Sequence, residues 1–190
     1  MRVRMIMEGE IAKQRYWDLY YFRQVYCLSL RSNDRSTKIG SVIVREDNSA
    51  VSVGYNMTPT GLNMDIEARH ERPEKYKWFV HAELNAILEA AKYGYAVNGC
   101  RMYTQGIPCV DCAKAIVQSG IKTLHIHGDW EKHANELWVG WKGRLIDSIE
   151  MFNECGVKIN YYYGAMSDGS ISDDLYLKIQ TMIRGQWFDV

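Results

Sequence analysis

The chain has 190 residues, 47% of them apolar and 24% charged, and its 23 basic and 23 acidic side chains give a formal net charge of zero. That length suits one domain with a buried core, and the charge balance weighs against DNA or RNA as partner, since non-specific binding to polyanions rests on excess positive charge. No run approaches the eighteen or so apolar residues of a membrane span, and Met1 to Glu10 does not read as a cleavable leader.

Lys13 to about Leu30 reads as an amphipathic helix, with Trp17, Tyr20, Tyr21, Val25 and Leu28 near one face. After the polar segment Arg31 to Lys38 come two strand-like runs, Ile39 to Val44 and Ala50 to Tyr55, joined by a turn at Glu46-Asp47-Asn48. Asn56 to Trp78 is a long polar stretch with Pro59, Gly61 and Pro73, of the kind that forms a lid or binding loop. His81 to Tyr93 is a helix stopped by Gly94, Cys100 to Thr104 a strand, and Cys109 to Ser119 a helix ending at Gly120. A strand at Lys122 to His127, a helix at Lys142 to Glu154 and a strand at Val157 to Tyr162 follow, with a last helix expected from Ser172. Strands alternating with helices predict a three-layer α/β/α sandwich around one mixed sheet, in a single domain.

The five cysteines are Cys27, Cys100, Cys109, Cys112 and Cys155. An odd count with two of them three residues apart is unlike a secreted disulfide framework, so a reducing, cytoplasmic setting is expected. Two segments carry the chemistry: His81-Ala82-Glu83 at one helix start and Pro108-Cys109-Val110-Asp111-Cys112 at another. One imidazole and two thiolates make a three-ligand zinc set whose fourth tetrahedral position is left for water. Cys109 and Cys112, at i and i+3 in a first turn, can converge on one ion, and the positive helix end lowers their thiol pKa. Pro108 suits a helix start, where a missing amide hydrogen costs nothing. Glu83 beside such a site is placed to take a proton from metal-activated water and pass it on. A structural zinc would add a fourth ligand, for which His125, His127, Cys100 and Cys155 remain, but none lies in a second C-x-x-C-like pair. H-x-E followed by P-C-x-x-C is the signature of zinc deaminases.

At these residues the chain resembles the cytidine-deaminase superfamily, and more narrowly the deoxycytidylate (dCMP) deaminases. The likeness includes Gly54-Tyr55-Asn56 with Pro59 and Gly61, His81-Ala-Glu-Leu-Asn-Ala-Ile87, Met102-Tyr103, and the run from Pro108 through Cys112-Ala-Lys to Gly120-Ile121, and it spans about Ser29 to Ile126. The resemblance implies a five-stranded sheet flanked by helices, homo-oligomers that are commonly hexamers, and hydrolysis of dCMP to dUMP and ammonia, which would supply dUMP for thymidylate synthesis. It implies that His81, Cys109 and Cys112 bind zinc, that Glu83 is the catalytic carboxylate, and that Asn56 hydrogen-bonds the nucleoside sugar. Tyr-Asn-x-x-Pro is also good turn chemistry in any protein. The branch holds the 5′-phosphate in the loop before the first strand, where Arg35 and Lys38 are the candidates; a solvated charged turn is the other reading of the same residues.

The departures also carry expectations. Met57 stands where the branch usually has Gly, and Glu89 and Lys92 where some relatives have an aromatic and an arginine; both weigh against control by dCTP or dTTP. Some relatives hold a second zinc with cysteines before the first strand and in the long loop. Here those regions offer Asp34 or Arg35, Met64 or Asp65, and His70, so one zinc per chain is expected. Gln105-Gly106-Ile107 replaces the usual small-polar segment before the Pro-Cys. The aromatic-rich stretches Gly128 to Trp141 and Tyr161 to Val190, the latter a C-terminal extension, read as core or subunit packing rather than base stacking. Rival readings are a tRNA adenosine deaminase, which would need a basic face; a riboflavin-pathway deaminase, which would need a fused reductase; and a non-catalytic zinc-stabilised nucleotide-binding subunit, which would have no use for Glu83.

Overall fold

The structure, a computed structural model, describes the backbone of residues 2–127, 139–162, 166–167 and 170–171, and the side chains of 13–127 and 145–162. The first helix, α1, runs Arg2–Ser29 and so begins well before Lys13. Its early stretch holds no proline and only Gly9 among strong helix breakers, so propensity carries the helix upstream of the amphipathic pattern. Strands β1 (Gly40–Val44) and β2 (Ala50–Tyr55) form an antiparallel hairpin whose turn puts Asn48 at φ 65°, a conformation that asparagine tolerates. α2 (Ala82–Lys92) leads to β3 (Arg101–Gln105), α3 (Val110–Gln118) to β4 (Thr123–His127), and α4 (Val139–Glu154) to β5 (Lys158–Tyr162). The sheet order is β2-β1-β3-β4-β5: β1 is antiparallel to both neighbours, and β3, β4 and β5 run parallel. A two-stranded hairpin, β6 (Met166–Ser167) with β7 (Ser170–Ile171), was not expected from the sequence. The helix expected from Ser172 lies outside the described residues, as do the side chains of 128–144 and 163–190.

Strand alternation sends Ile43, Met102, Leu124, Ile126, Ile159 and Tyr161 to one face, where Ala86 and Ala90 of α2, Ala113 and Ile116 of α3, and Phe152 of α4 cover them. Val42, Val44, Tyr103 and Tyr162 point the other way, against Tyr21, Phe22 and Val25 of α1. The protein is therefore the three-layer sandwich around a five-stranded mixed sheet that the alternation of elements predicts. Among the described residues no helix is long and apolar enough to cross a membrane.

Glycine lets α2 lie close on the sheet edge. A Cβ at Gly54 would stand 2.2 Å from the Ala82 carbonyl oxygen and 2.4 Å from the Ala86 nitrogen, both backbone atoms that cannot step aside. Ser52 Oγ donates to the Ala86 carbonyl at 2.6 Å and Asn85 Nδ2 to the Tyr55 carbonyl at 3.2 Å, which fixes the same contact by hydrogen bonds. Gly54→Ala is expected to push the α2 start off β2 and to destabilise the fold by at least about 1–3 kcal/mol, measured as a fall in the urea midpoint. An unchanged midpoint would show that the contact between β2 and α2 tolerates a methyl group.

Beneath α1 lies a buried polar cluster. Asp18 accepts from Tyr103 Oη at 2.6 Å, Tyr162 Oη at 2.9 Å and Gln14 Nε2 at 2.8 Å. Since Tyr162 donates to Asp18, His125 Nδ1, 2.9 Å from that hydroxyl, carries the hydrogen and donates to it. Burial pushes the His125 pKa down to about 4, against the pull of Asp18, so its 3.5 Å contact with that carboxylate is a polar contact of a neutral ring. An unfolded histidine binds its proton near 6.5 and the folded one only near 4, so stability falls as pH drops through that interval. The loss amounts to roughly 3 kcal/mol at its foot. Urea unfolding between pH 7.5 and 4 should show this slope, and His125→Phe should flatten it.

The long segment between β2 and α2 is well fastened. Met57 and Val80 exchange backbone hydrogen bonds at its base, and two short 3-10 turns, Glu67–His70 and Glu74–Lys77, fill it. The Arg69 guanidinium stacks 4.2 Å over Trp78.

Candidate active site

His81 and Cys109 occupy equivalent places. Each is the N-cap of its helix, with extended backbone (ψ 153° and 167°), and neither side chain caps an amide. An N-cap side chain normally accepts from the first turn; here both are free to face one another, while their carbonyls accept from Asn85 and Ala113 at 2.8 Å. Pro108 therefore precedes the cap rather than opening the helix, which corrects its expected place: the extended Cys109 turns the chain one residue later.

His81 Nδ1 lies 3.3 Å from Cys109 Sγ and 3.6 Å from Cys112 Sγ, and all three ligand atoms lie within 4.8 Å of one another. A tetrahedral zinc with bonds of about 2.1 Å to nitrogen and 2.3 Å to sulfur separates such atoms by about 3.6 Å. The donor set thus fits zinc in both chemistry and span. No fourth His, Cys, Asp or Glu joins it among the described residues; His125 belongs to the cluster on the opposite face of the sheet, and Cys100 to the core.

The charges agree with a metal-binding trio. Hydrogen bonds from Cys112 first, and from His81, hold the Cys109 thiol down to about 4. The Cys109 thiolate in turn raises His81 to about 8 against its burial. Cys112 is pushed up by its hydrogen bond to Cys109 and by burial, while the Leu84 backbone amide at the α2 start favours its thiolate. Without metal, one thiolate, one thiol and one imidazolium share the site.

Glu83, in the first turn of α2 and 5% exposed, has its carboxyl raised by burial, with His81 pulling the other way. Its Oε1 stands 3.5 Å from the Thr104 hydroxyl of β3. Asn56 meets the same helix start: its Oδ1 accepts from the Ala82 amide at 3.0 Å, supplying the cap that His81 does not, and its Nδ2 donates to the Thr37 carbonyl at 3.1 Å. One Nδ2 hydrogen remains for a ligand.

The structure thus brings His81, Cys109, Cys112, Glu83 and Asn56 together. Arg35 and Lys38 are not drawn in: Arg35 pairs with Glu67 across the exposed surface, and Lys38 Nζ turns back to the Ser32 carbonyl at 2.9 Å. Sequence reasoning missed Thr104, which nothing in local spacing marked, and it placed Gly54 in the likeness without the close approach to α2 that requires a glycine there.

A five-stranded sheet of this order, with His-x-Glu and Pro-Cys-x-x-Cys at two facing helix starts, defines the zinc-binding deaminase class of fold. The family described as "Cytidine and deoxycytidylate deaminase zinc-binding region" matches residues 15–127, and the chain belongs to that family. It is 37% identical over 118 residues to deoxycytidylate deaminase of Mus musculus, which covers 60% of this chain and 65% of the relative, just under two thirds of its length. It is 34% identical over 138 residues to ComE operon protein 2 of Bacillus subtilis (strain 168), covering 71% and 72%. The crystal structure of dCMP deaminase from the cyanophage S-TIM5 in complex with dCMP and dUMP is similar with a TM-score of 0.59 and 25% identity, over 79% of this chain and 96% of that one.

Proposed function

We propose that the protein hydrolyses dCMP to dUMP and ammonia, with one zinc ion held by His81, Cys109 and Cys112. The observation that carries this reading is a three-donor cluster beside a buried carboxylate, in a chain similar to deoxycytidylate deaminases. Zinc held by these three residues would supply a Lewis acid that makes water easier to deprotonate near neutral pH. Glu83 would take a proton from the attacking water and deliver it to N3 of the cytosine ring as C4 gains the hydroxyl. It would then carry the proton of the new C4 hydroxyl to the 4-amino group, which leaves as ammonia as the C4 carbonyl forms. A carboxyl raised by burial suits this work, because it must hold the proton between the two transfers. Asn56 would position the sugar with its free Nδ2 hydrogen, and Arg35 and Lys38 would have to leave Glu67 and the Ser32 carbonyl to reach the phosphate.

A single zinc is supported by what stands where a second would sit: Asp34 pairs with Lys75, and His70 Nε2 contacts the Met64 carbonyl at 2.9 Å. Thiolate ligands favour a reducing, cytoplasmic setting. The family likeness, together with exposed Leu88, Tyr93 and Tyr95, supports a homo-oligomer, a hexamer by that likeness. The test is turnover by zinc-loaded protein of dCMP, CMP, deoxycytidine and a tRNA, followed as ammonia. Release from dCMP in preference to the others supports the reading; release from tRNA alone replaces it.

A further inference from the structure

Among the described residues, one ion pair of a lysine and a carboxylate is buried on both sides, Lys75 with Asp34, each side chain 4% exposed. Lys75 sits in the second 3-10 turn of the long loop, and Asp34 in the segment before β1. The ammonium donates to Asp34 Oδ1 at 2.9 Å and Oδ2 at 2.7 Å, and to Ser36 Oγ at 2.6 Å. Asp34 Oδ1 also accepts from the backbone amides of Ser36 and Thr37, at 2.9 and 3.1 Å. Residues 34–37 are thus wound around one buried cation.

Two further contacts connect this knot to the site. The Thr37 carbonyl takes the Nδ2 hydrogen of Asn56, whose Oδ1 caps α2 one residue before Glu83. Ser32 Oγ, which accepts from the Asp34 amide, donates to the Asn56 carbonyl at 2.7 Å. A buried ion pair is a poor device for stability alone, since apolar side chains of the same volume serve as well or better. What apolar side chains could not do is gather two amides, a hydroxyl and a carbonyl into one orientation.

We propose that Lys75 and Asp34 are positioning residues of the substrate site: the pair fixes the 34–37 turn and, through the Thr37 carbonyl, sets the side-chain orientation of Asn56. Its bearing on turnover rests on the dCMP reading; its hold on Asn56 does not. The closing experiment therefore has two arms, both on zinc-loaded full-length protein. The variants are Lys75→Met, and Asp34→Asn combined with Lys75→Met, which leaves no buried charge without a partner and so keeps a folded protein in hand. Lys77→Ala, an exposed cation of the same turn, is the control.

In the first arm, hydrogen exchange of residues 32–39 should quicken by about ten-fold or more in the variants while β3 and β4 are unchanged, and the Asn56 side-chain amide resonances should shift. In the second, KM for dCMP should rise about ten-fold or more with kcat within about three-fold, the pattern of lost binding rather than lost chemistry. Exchange and Asn56 resonances that match the control overturn the proposal, whatever turnover shows. Exchange that quickens equally in β3 and β4 also overturns it, because the pair would then be general support. A loosened loop with unchanged KM overturns the link to substrate. Wild-type protein inert toward dCMP, with Asn56 nevertheless freed in the variants, overturns the substrate reading and supports the hold on Asn56.

Discussion

Glu83→Gln is expected to lower kcat for dCMP by at least about 10³-fold while zinc content and KM stay near the wild-type values. The amide matches the carboxylate in shape, so the α2 start and the contact with Thr104 are preserved. It cannot accept the proton from water, and it has none to deliver to N3. His81, Cys109 and Cys112 are untouched, so metal analysis should return the same zinc per chain. Turnover within ten-fold of wild type would remove Glu83 from the proton path. Loss of zinc together with activity would make it a structural support instead.

The second large effect concerns the metal itself. Chelation should abolish turnover and zinc readdition restore it, whereas Cys112→Ala should lose both zinc and activity without rescue, since two donors cannot complete the set. The metal-free site has a particular proton inventory. At pH 7, His81, raised to about 8, carries a proton; Cys112, pushed up by Cys109, carries another; and Cys109, held near 4, carries none. Zinc requires neutral imidazole and two thiolates, so loading the apo-protein at pH 7 should release at least about two protons, one from each of those side chains. Above pH 8 His81 has already lost its own, and the release should fall by about one. Calorimetry of zinc binding in buffers of different ionisation enthalpy measures the count. A release below one at pH 7 would mean that the trio does not share charge in this way.

What the sequence made legible was local. His81 with Glu83, and Cys109 with Cys112, announce themselves because the required chemistry lies within one helical turn at a helix start. Strand β2 was readable to the residue, since Ala50 to Tyr55 is bounded by turn residues on both sides. Pairings across the chain were not readable. Asp34 and Lys75 lie 41 positions apart, Thr104 and Glu83 21, and Asp18 and Tyr162 144, so no spacing rule links them. Arg35 and Lys38 drew attention as the cations nearest the first strand, but composition does not say which way a long side chain turns: one meets Glu67, the other its own loop. The upstream extension of α1 was missed because the helix there follows propensity rather than amphipathic period.

The α2 terminus is closed by Asn56, a side chain contributed from 26 positions upstream, because His81 does not cap its own helix. The candidate zinc histidine is therefore placed by tertiary docking rather than by a cap of its own, and it meets Cys109 Sγ across a further 28 positions. During synthesis, a nascent segment in which the α2 and α3 starts have not yet met would offer incoming ions only separate, weak donors. Capture of an ion by the trio would accordingly belong to the end of folding, and a lesion that delays the meeting of α2 and α3 would leave two thiols exposed to oxidants in the meantime.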